Sequence, residues 1–117
     1  MLQKLEDVER RYNELEEQLV DPAVFANRVD FARLGKDRAE LEPIVTAYRE
    51  WKKLRHEMEG HRVLLEASDA EIRELAKEEL PTLRRQCEEL EERLKILLLP
   101  KDPNDDRNVL LEIRGGV

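Results

Sequence analysis

Apolar residues recur along most of this chain at steps of three and four, the spacing that places side chains on one face of an α-helix. Three such stripes are present: Leu2, Leu5, Val8, Tyr12, Leu15 and Leu19; Phe31, Leu34, Leu41, Val45, Tyr48, Trp51, Leu54, Met58 and Leu65; Ile72, Ala76, Leu80, Leu83, Cys87, Leu90, Leu94 and Leu97. Amphipathic helices with short connections remove such stripes from water by packing together. The predicted fold is therefore all-α, a three-helix antiparallel bundle over residues 1–98 that thins into a two-helix coiled coil where fewer helices overlap.

Prolines and caps mark the expected limits of these helices. The first should stop before Asp21-Pro22, because a proline disfavours the helical conformation of its predecessor. Residues 21–27 should form a corner in which Val24 and Phe25 pack against the bundle. Pro43 predicts a kink or a break in the second helix, and Pro81 a bend in the third. Ser68 and Glu71 fit the capping box that starts a helix.

Composition and charge limit the possible functions. Charged residues make up 42% of the 117 residues and aromatic residues 4%, as in long helices and coiled coils. The net charge of −7 disfavours binding to nucleic acid or to anionic lipid, which relies on basic residues. No apolar run approaches the roughly 18 residues of a membrane span. An acidic N-terminus and a single cysteine add to the expectation of a cytoplasmic protein.

Residues that could carry out catalysis are not arranged for it. His56 and His61 are five positions apart, which directs them roughly 140° apart on a helix, so they cannot share a metal ion. Cys87 lies on an apolar stripe and is predicted to be a buried structural thiol. No phosphate-binding glycine loop, zinc spacing or nucleophile elbow occurs. We therefore expect no catalytic residue, no metal, no cofactor and no small-molecule substrate for this chain.

A cluster of cations and aromatic rings in the second helix is the one candidate contact site. Tyr48 and Trp51 alternate with four basic residues, Arg49, Lys52, Lys53 and Arg55. Rings beside cations can stack on RNA bases. The two rings also continue the apolar stripe, which favours core rings flanked by cations that reach to water. The four basic residues are the predicted contact residues for a partner or RNA.

The last residues predict the start of a second domain. Pro100 and Pro103 give residues 99–107 the character of a stiff linker. The apolar run Asn108–Arg114 before Gly115-Gly116 is typical of a strand entering a turn. A lone strand is not stable. Residues 108–117 are therefore predicted to begin a truncated second domain of a longer protein.

The chain resembles bacterial class-1 peptide chain release factors in two stretches: ELEPIVTAYREWKKL (residues 40–54) and LKILLLPKDPNDDRNVLLEIRGG (residues 94–116). The similarity extends over the whole chain and is closest to the release factor 1 type, which reads UAA and UAG. Pro81 departs from the family pattern, because helix-forming residues are usual there. The codon-reading Pro-x-Thr and the Gly-Gly-Gln motifs of the family match no position here.

The resemblance implies a cytoplasmic protein that enters the ribosome at a stop codon and promotes hydrolysis of peptidyl-tRNA. Its helical first domain is similar to an arm that reaches the GTPase-associated region near the stalk-base protein and influences the recycling GTPase release factor. The corresponding hypothesis is a monomeric docking and positioning domain. Two other functions are open at this stage: a self-standing coiled-coil dimerisation or adaptor module, and an RNA-binding helical arm.

Overall fold

The computed structural model describes residues 1–100, which form four α-helices. They are α1 (Leu2–Leu19), α2 (Pro22–Ala26), α3 (Arg28–Leu64) and α4 (Ala70–Leu97). The all-α prediction is confirmed, and the predicted corner contains the short helix α2. The predicted strand, and the linker beyond Pro100, lie outside the described residues.

The longest helix, α3, is the centre of the structure. Two ion pairs, Glu16–Arg38 and Glu9–Arg49, join α1 to α3. The later residue of α1 pairs with the earlier residue of α3, so the two helices are antiparallel. Helices α3 and α4 are also antiparallel and meet at the turn that follows Leu64. The result is a flat, elongated body of 64 × 39 × 18 Å.

Two buried clusters form the core at different levels of α3. The first joins Leu5 of α1, Ala47 and Tyr48 of α3 and Leu94 of α4. The second is built by α3 and α4 alone, from Leu54, Met58, Leu80 and Cys87. The Cα atoms of α1 and α4 stay more than 8 Å apart within the described residues. The three long helices therefore share a core at one level and do not pack together along their length.

Both internal prolines lie within uninterrupted helices. Pro43 is inside α3 and Pro81 is inside α4, so the predicted alternative of a break at Pro43 is wrong. A proline removes one helical hydrogen bond at a cost of about 3 kcal/mol. Packing of the buried residues that follow, Val45, Ala47 and Tyr48, favours the continuous helix.

The N-cap of α4 differs from the predicted capping box. Asp69, not Ser68, occupies the cap, and its Oδ1 accepts a hydrogen bond from the Glu71 backbone N–H at 2.9 Å. Helix α4 begins at Ala70, so Glu71 is the second helical residue and not the third, as the capping box needs. A carboxylate at this position also interacts favourably with the positive end of the helix dipole.

Phe25 packs only partly against the bundle, through a ring of α3. Phe25 is 68% exposed and makes an edge-to-face contact with Phe31, at 5.2 Å between ring centroids. Val24 is half-buried. The ends of the stripes are exposed as well, at Leu2 and Ile72.

Candidate functional site

Two of the four predicted contact residues bind a glutamate of α1. Arg49 Nε and Lys52 Nζ donate to the two carboxylate oxygens of Glu9, each at 2.8 Å. Arg49 Nη2 also donates to Asn13 Oδ1 at 2.9 Å. The Glu9 side chain is 17% exposed. These contacts link α1 to α3 and engage the charged groups of both Arg49 and Lys52.

The two rings of the predicted site belong to the core. Tyr48 is buried, and its hydroxyl donates to the Glu6 carboxylate. Burial and this hydrogen bond raise the pKa of Tyr48 to about 12. Trp51 is half-buried, stacks on Tyr48 at 6.0 Å between centroids and donates its Nε1 hydrogen to Glu91 of α4 at 3.0 Å. The rings therefore join α3 to both neighbouring helices.

Cations also cover the ring faces. The Lys52 ammonium lies 4.4 Å from the Tyr48 centroid, and the Arg55 guanidinium lies 5.5 Å from that of Trp51. Stacking of bases here would displace these contacts, which cation–π attraction stabilises. Lys53 is exposed and has no polar partner within residues 1–100. Contact of the four basic residues with a partner stays a prediction.

Replacement of Glu9 by glutamine should lower the free energy of unfolding at pH 7 by about 1 kcal/mol, because two charge-assisted hydrogen bonds are lost. Burial raises the pKa of Glu9, but the hydrogen bonds from Lys52 and Arg49 outweigh it, so the pKa is lowered overall. A lowered pKa contributes stability above pH 4.5, the ordinary value, and this contribution is lost as the pH falls through the folded-state pKa.

Urea unfolding from pH 3 to pH 7 tests this expectation. The exposed Glu17, which has no polar partner in the described part of the chain, supplies the control Glu17→Gln. A Glu9→Gln effect that is no larger than the control, or that persists undiminished at pH 3, would contradict the role of Glu9.

A second surface was not predicted and lies where α3 turns into α4. Its apolar residues, here called the tip patch, are Val63, Leu64, Leu65, Ile72 and Leu75. Val63 is 68% exposed and Leu75 is 57% exposed. A contiguous exposed apolar surface on a small protein commonly marks a binding site. The sequence signal for this patch is the presence of five large aliphatic residues within 13 positions. Two of them, Leu65 and Ile72, were predicted to lie in the core.

Two concave regions accompany the tip patch. One, of about 340 Å³, is lined by His61, Leu64, Ile72, Leu75, Ala76 and Glu79. The other, of about 570 Å³, is lined by Leu65, Ala70, Glu71, Arg73, Glu74 and Lys77. Both are lined by apolar and charged side chains together, a mixture that suits contact with a protein partner.

Within the described residues, the one thiol, that of Cys87, has a structural role. Burial raises the pKa of Cys87, and its Sγ donates to Met58 Sδ at 3.4 Å, so the thiol is a core residue, as its position on the stripe predicted. Within residues 1–100 no group of three His, Cys, Asp or Glu side chains is placed to hold a metal ion. None of the helices described is long and apolar enough to span a membrane.

Comparison with known proteins gives one consistent family. The PCRF domain matches residues 8–117. Peptide chain release factor 1 of Geobacter sulfurreducens is 52% identical over 116 residues, which are 99% of this chain and 32% of that protein. The corresponding values for Anaeromyxobacter dehalogenans peptide chain release factor 1 are 50%, 99% and 31%. The chain thus spans about a third of the length of these relatives, and no solved structure matches it.

The PCRF domain match covers all but the first seven residues, and it agrees with the resemblance carried by residues 40–54 and 94–116. The chain belongs to the PCRF domain family.

Proposed function

We propose that this chain is the docking and positioning domain of a peptide chain release factor, which acts in translation termination on the ribosome. The observation that carries this proposal is identity of about half of all residues, over 99% of the chain, to peptide chain release factor 1 of several bacteria. The proposed location is the cytoplasm. From the same similarity we also propose that the factor reads the stop codons UAA and UAG.

A role in docking, and not in chemistry, is supported by the distribution of side chains. Buried side chains of the described residues are apolar, and several polar side chains, such as Glu9 and Glu91, link one helix to another. Hydrolysis of peptidyl-tRNA is assigned to parts of the factor outside this chain, because no position here matches the Gly-Gly-Gln motif. The chain alone is therefore proposed to have no enzymatic activity.

The shape of the molecule supports an arm. Helix α3 has 37 residues, so it extends over about 55 Å at 1.5 Å per residue. The tip patch lies at one end of this helix, away from the cluster in which all three long helices meet. A rigid arm with an apolar end can fix the distance between a docking partner and the rest of the factor. We propose the stalk-base region of the ribosome as that partner, and an influence on the recycling GTPase through the same arm.

Deletion of residues 1–98 from a full-length factor that carries this chain tests the proposal. Single-round peptide release at saturating factor should be retained, because the proposed chemistry lies elsewhere. Multiple-round release with the recycling GTPase should fall at least about ten-fold, which corresponds to about 1.4 kcal/mol of lost docking. The intact factor is the control. Unchanged release and unchanged recycling would refute the docking role.

A dimerisation module is the second candidate, and the exposed tip patch is the observation that favours it. Two copies could bury these apolar residues against each other. We expect a monomer, since the larger stripes are already buried within one chain. Multi-angle light scattering from low to high micromolar concentration separates the candidates: a constant monomer mass supports the docking domain, and a dimer mass supports the module.

A further inference from the structure

The distal part of the α3–α4 hairpin has few contacts that join its helices. The second core cluster ends at Met58 and Leu80. Beyond it, Ala76 is the one buried residue among those described, and the tip patch is exposed. The one interhelical side-chain hydrogen bond beyond Met58, within residues 1–100, joins His61 of α3 to Glu79 of α4. This pair is therefore the polar side-chain contact that joins the two helices at the end of the hairpin, with the Glu79 side chain 59% exposed.

Both ring nitrogens of His61 face acceptors. Nδ1 lies 2.8 Å from the backbone carbonyl oxygen of Glu57, and Nε2 contacts a carboxylate oxygen of Glu79. A carbonyl oxygen and a carboxylate can only accept, so each nitrogen must donate a hydrogen. When both hydrogen bonds are made and Glu79 is ionised, the ring is the doubly protonated, positively charged imidazolium. Neutral histidine can satisfy one of the two acceptors, not both.

The charged groups around His61 favour this form. Glu57 on α3, and Glu78 and Glu79 on α4, line the hollow beside it. The neighbouring Arg62 turns to Glu59, with 3.6 Å between their charged atoms. The hydrogen bond to Glu79 and the one to the Glu57 carbonyl raise the pKa of His61 above its ordinary value, against a smaller opposing effect of burial.

We propose that His61 and Glu79 form a proton-dependent clamp, which holds the distal ends of α3 and α4 together more tightly when His61 is charged than when it is neutral, because the neutral ring loses the ion pair and one of its two hydrogen bonds. The same two residues line one wall of the 340 Å³ hollow that contains Leu64, Ile72 and Leu75. The clamp is a property of the isolated chain and does not depend on the proposed role in termination.

The direction of the pH effect follows from linkage. A histidine whose pKa is raised by folding contributes stability that is fully present below about pH 6.5, the unfolded value. This contribution is lost as the pH rises through the folded-state pKa. The clamp should therefore be stronger in mildly acidic solution than in alkaline solution.

Amide hydrogen exchange of the whole chain, compared at pH 5.5 and pH 8.5 and corrected for the intrinsic pH dependence of exchange, tests the clamp. Protection of residues 59–64 and 70–79 should fall about two- to five-fold at the higher pH, the effect expected of a partly exposed ion pair. The fall should disappear in His61→Gln and in Glu79→Gln. It should persist in His56→Gln, which alters the exposed second histidine five positions away.

An NMR titration of the His61 ring gives an independent measurement that does not require any variant to be unstable. His61 should titrate at higher pH in the wild-type chain than in Glu79→Gln, because that substitution removes the carboxylate that the ring contacts. Equal titration of His61 in the two chains, or a fall in protection that Glu79→Gln leaves unchanged, would overturn the proposal.

Discussion

Replacement of Leu94 by alanine is expected to lower the free energy of unfolding by about 3 kcal/mol, because it removes a fully buried side chain and leaves a cavity. Leu94 is 0% exposed and lies in the cluster to which α1, α3 and α4 all contribute. A cavity at this level weakens the contacts of all three long helices at once. Urea unfolding followed by circular dichroism measures the change.

The matched control is Leu99→Ala. Leu99 is chemically identical but 65% exposed, so the same change should cost less than about 0.5 kcal/mol. Equal losses at the two positions would mean that Leu94 is not the central core residue of the fold.

Replacement of Tyr12 by alanine should cost about 3 kcal/mol, the usual range for a buried aromatic residue. Tyr12 is buried between α1 and α3. The guanidinium groups of Arg38 and Arg49 lie 5.1 Å and 5.6 Å from the centre of its ring. Because Tyr12 is one of three buried residues of α1, with Leu5 and Leu15, its loss should expose the amides of α1 to exchange more than those of α4.

Tyr12→Phe keeps the ring and both cation–π contacts and supplies the control. It should cost about 1 kcal/mol or less, the contribution of one hydroxyl hydrogen bond. If Tyr12→Phe proved as destabilising as Tyr12→Ala, the ring would not be the source of the stability. Uniform loss of protection in α1 and α4 would show that α1 does not separate from the rest as a unit.

The positions of the long helices and many of their buried residues could be predicted from apolar spacing. Leu5, Leu15 and Leu94 lie on predicted stripes and are fully buried. A stripe identifies the face of a helix that avoids water, but not how far a neighbouring helix covers it. For this reason Leu2, Leu65 and Ile72 were expected in the core and are exposed.

Local signals failed where two neighbouring residues offered similar chemistry or where packing outweighed propensity. Ser68 and Asp69 can both cap a helix. Because α4 begins at Ala70, Asp69 is the N-cap. Pro43 predicted a kink or a break, and the break does not occur, since α3 continues through Pro43.

The candidate site required contacts between distant parts of the sequence. The cations around Tyr48 and Trp51 were identified, and the interpretation of the rings as core residues agrees with the burial of Tyr48. Glu9, which binds two of those cations, precedes them by about 40 positions. No periodicity along the chain connects residues that far apart. The tip patch, likewise, becomes visible only when the turn after Leu64 brings Val63 and Leu75 to one end.

Affinity of the full-length factor for ribosomes halted at a stop codon tests docking through the tip patch most directly. Leu75→Asp should raise the Kd about ten-fold, because charge is placed at the centre of the proposed interface, while single-round peptide release at saturation stays unchanged. Val20→Asp, at an 80% exposed position of the α1–α2 connection, should leave the Kd within about two-fold, the range of ordinary surface substitutions. An unchanged Kd for Leu75→Asp would contradict docking through the tip.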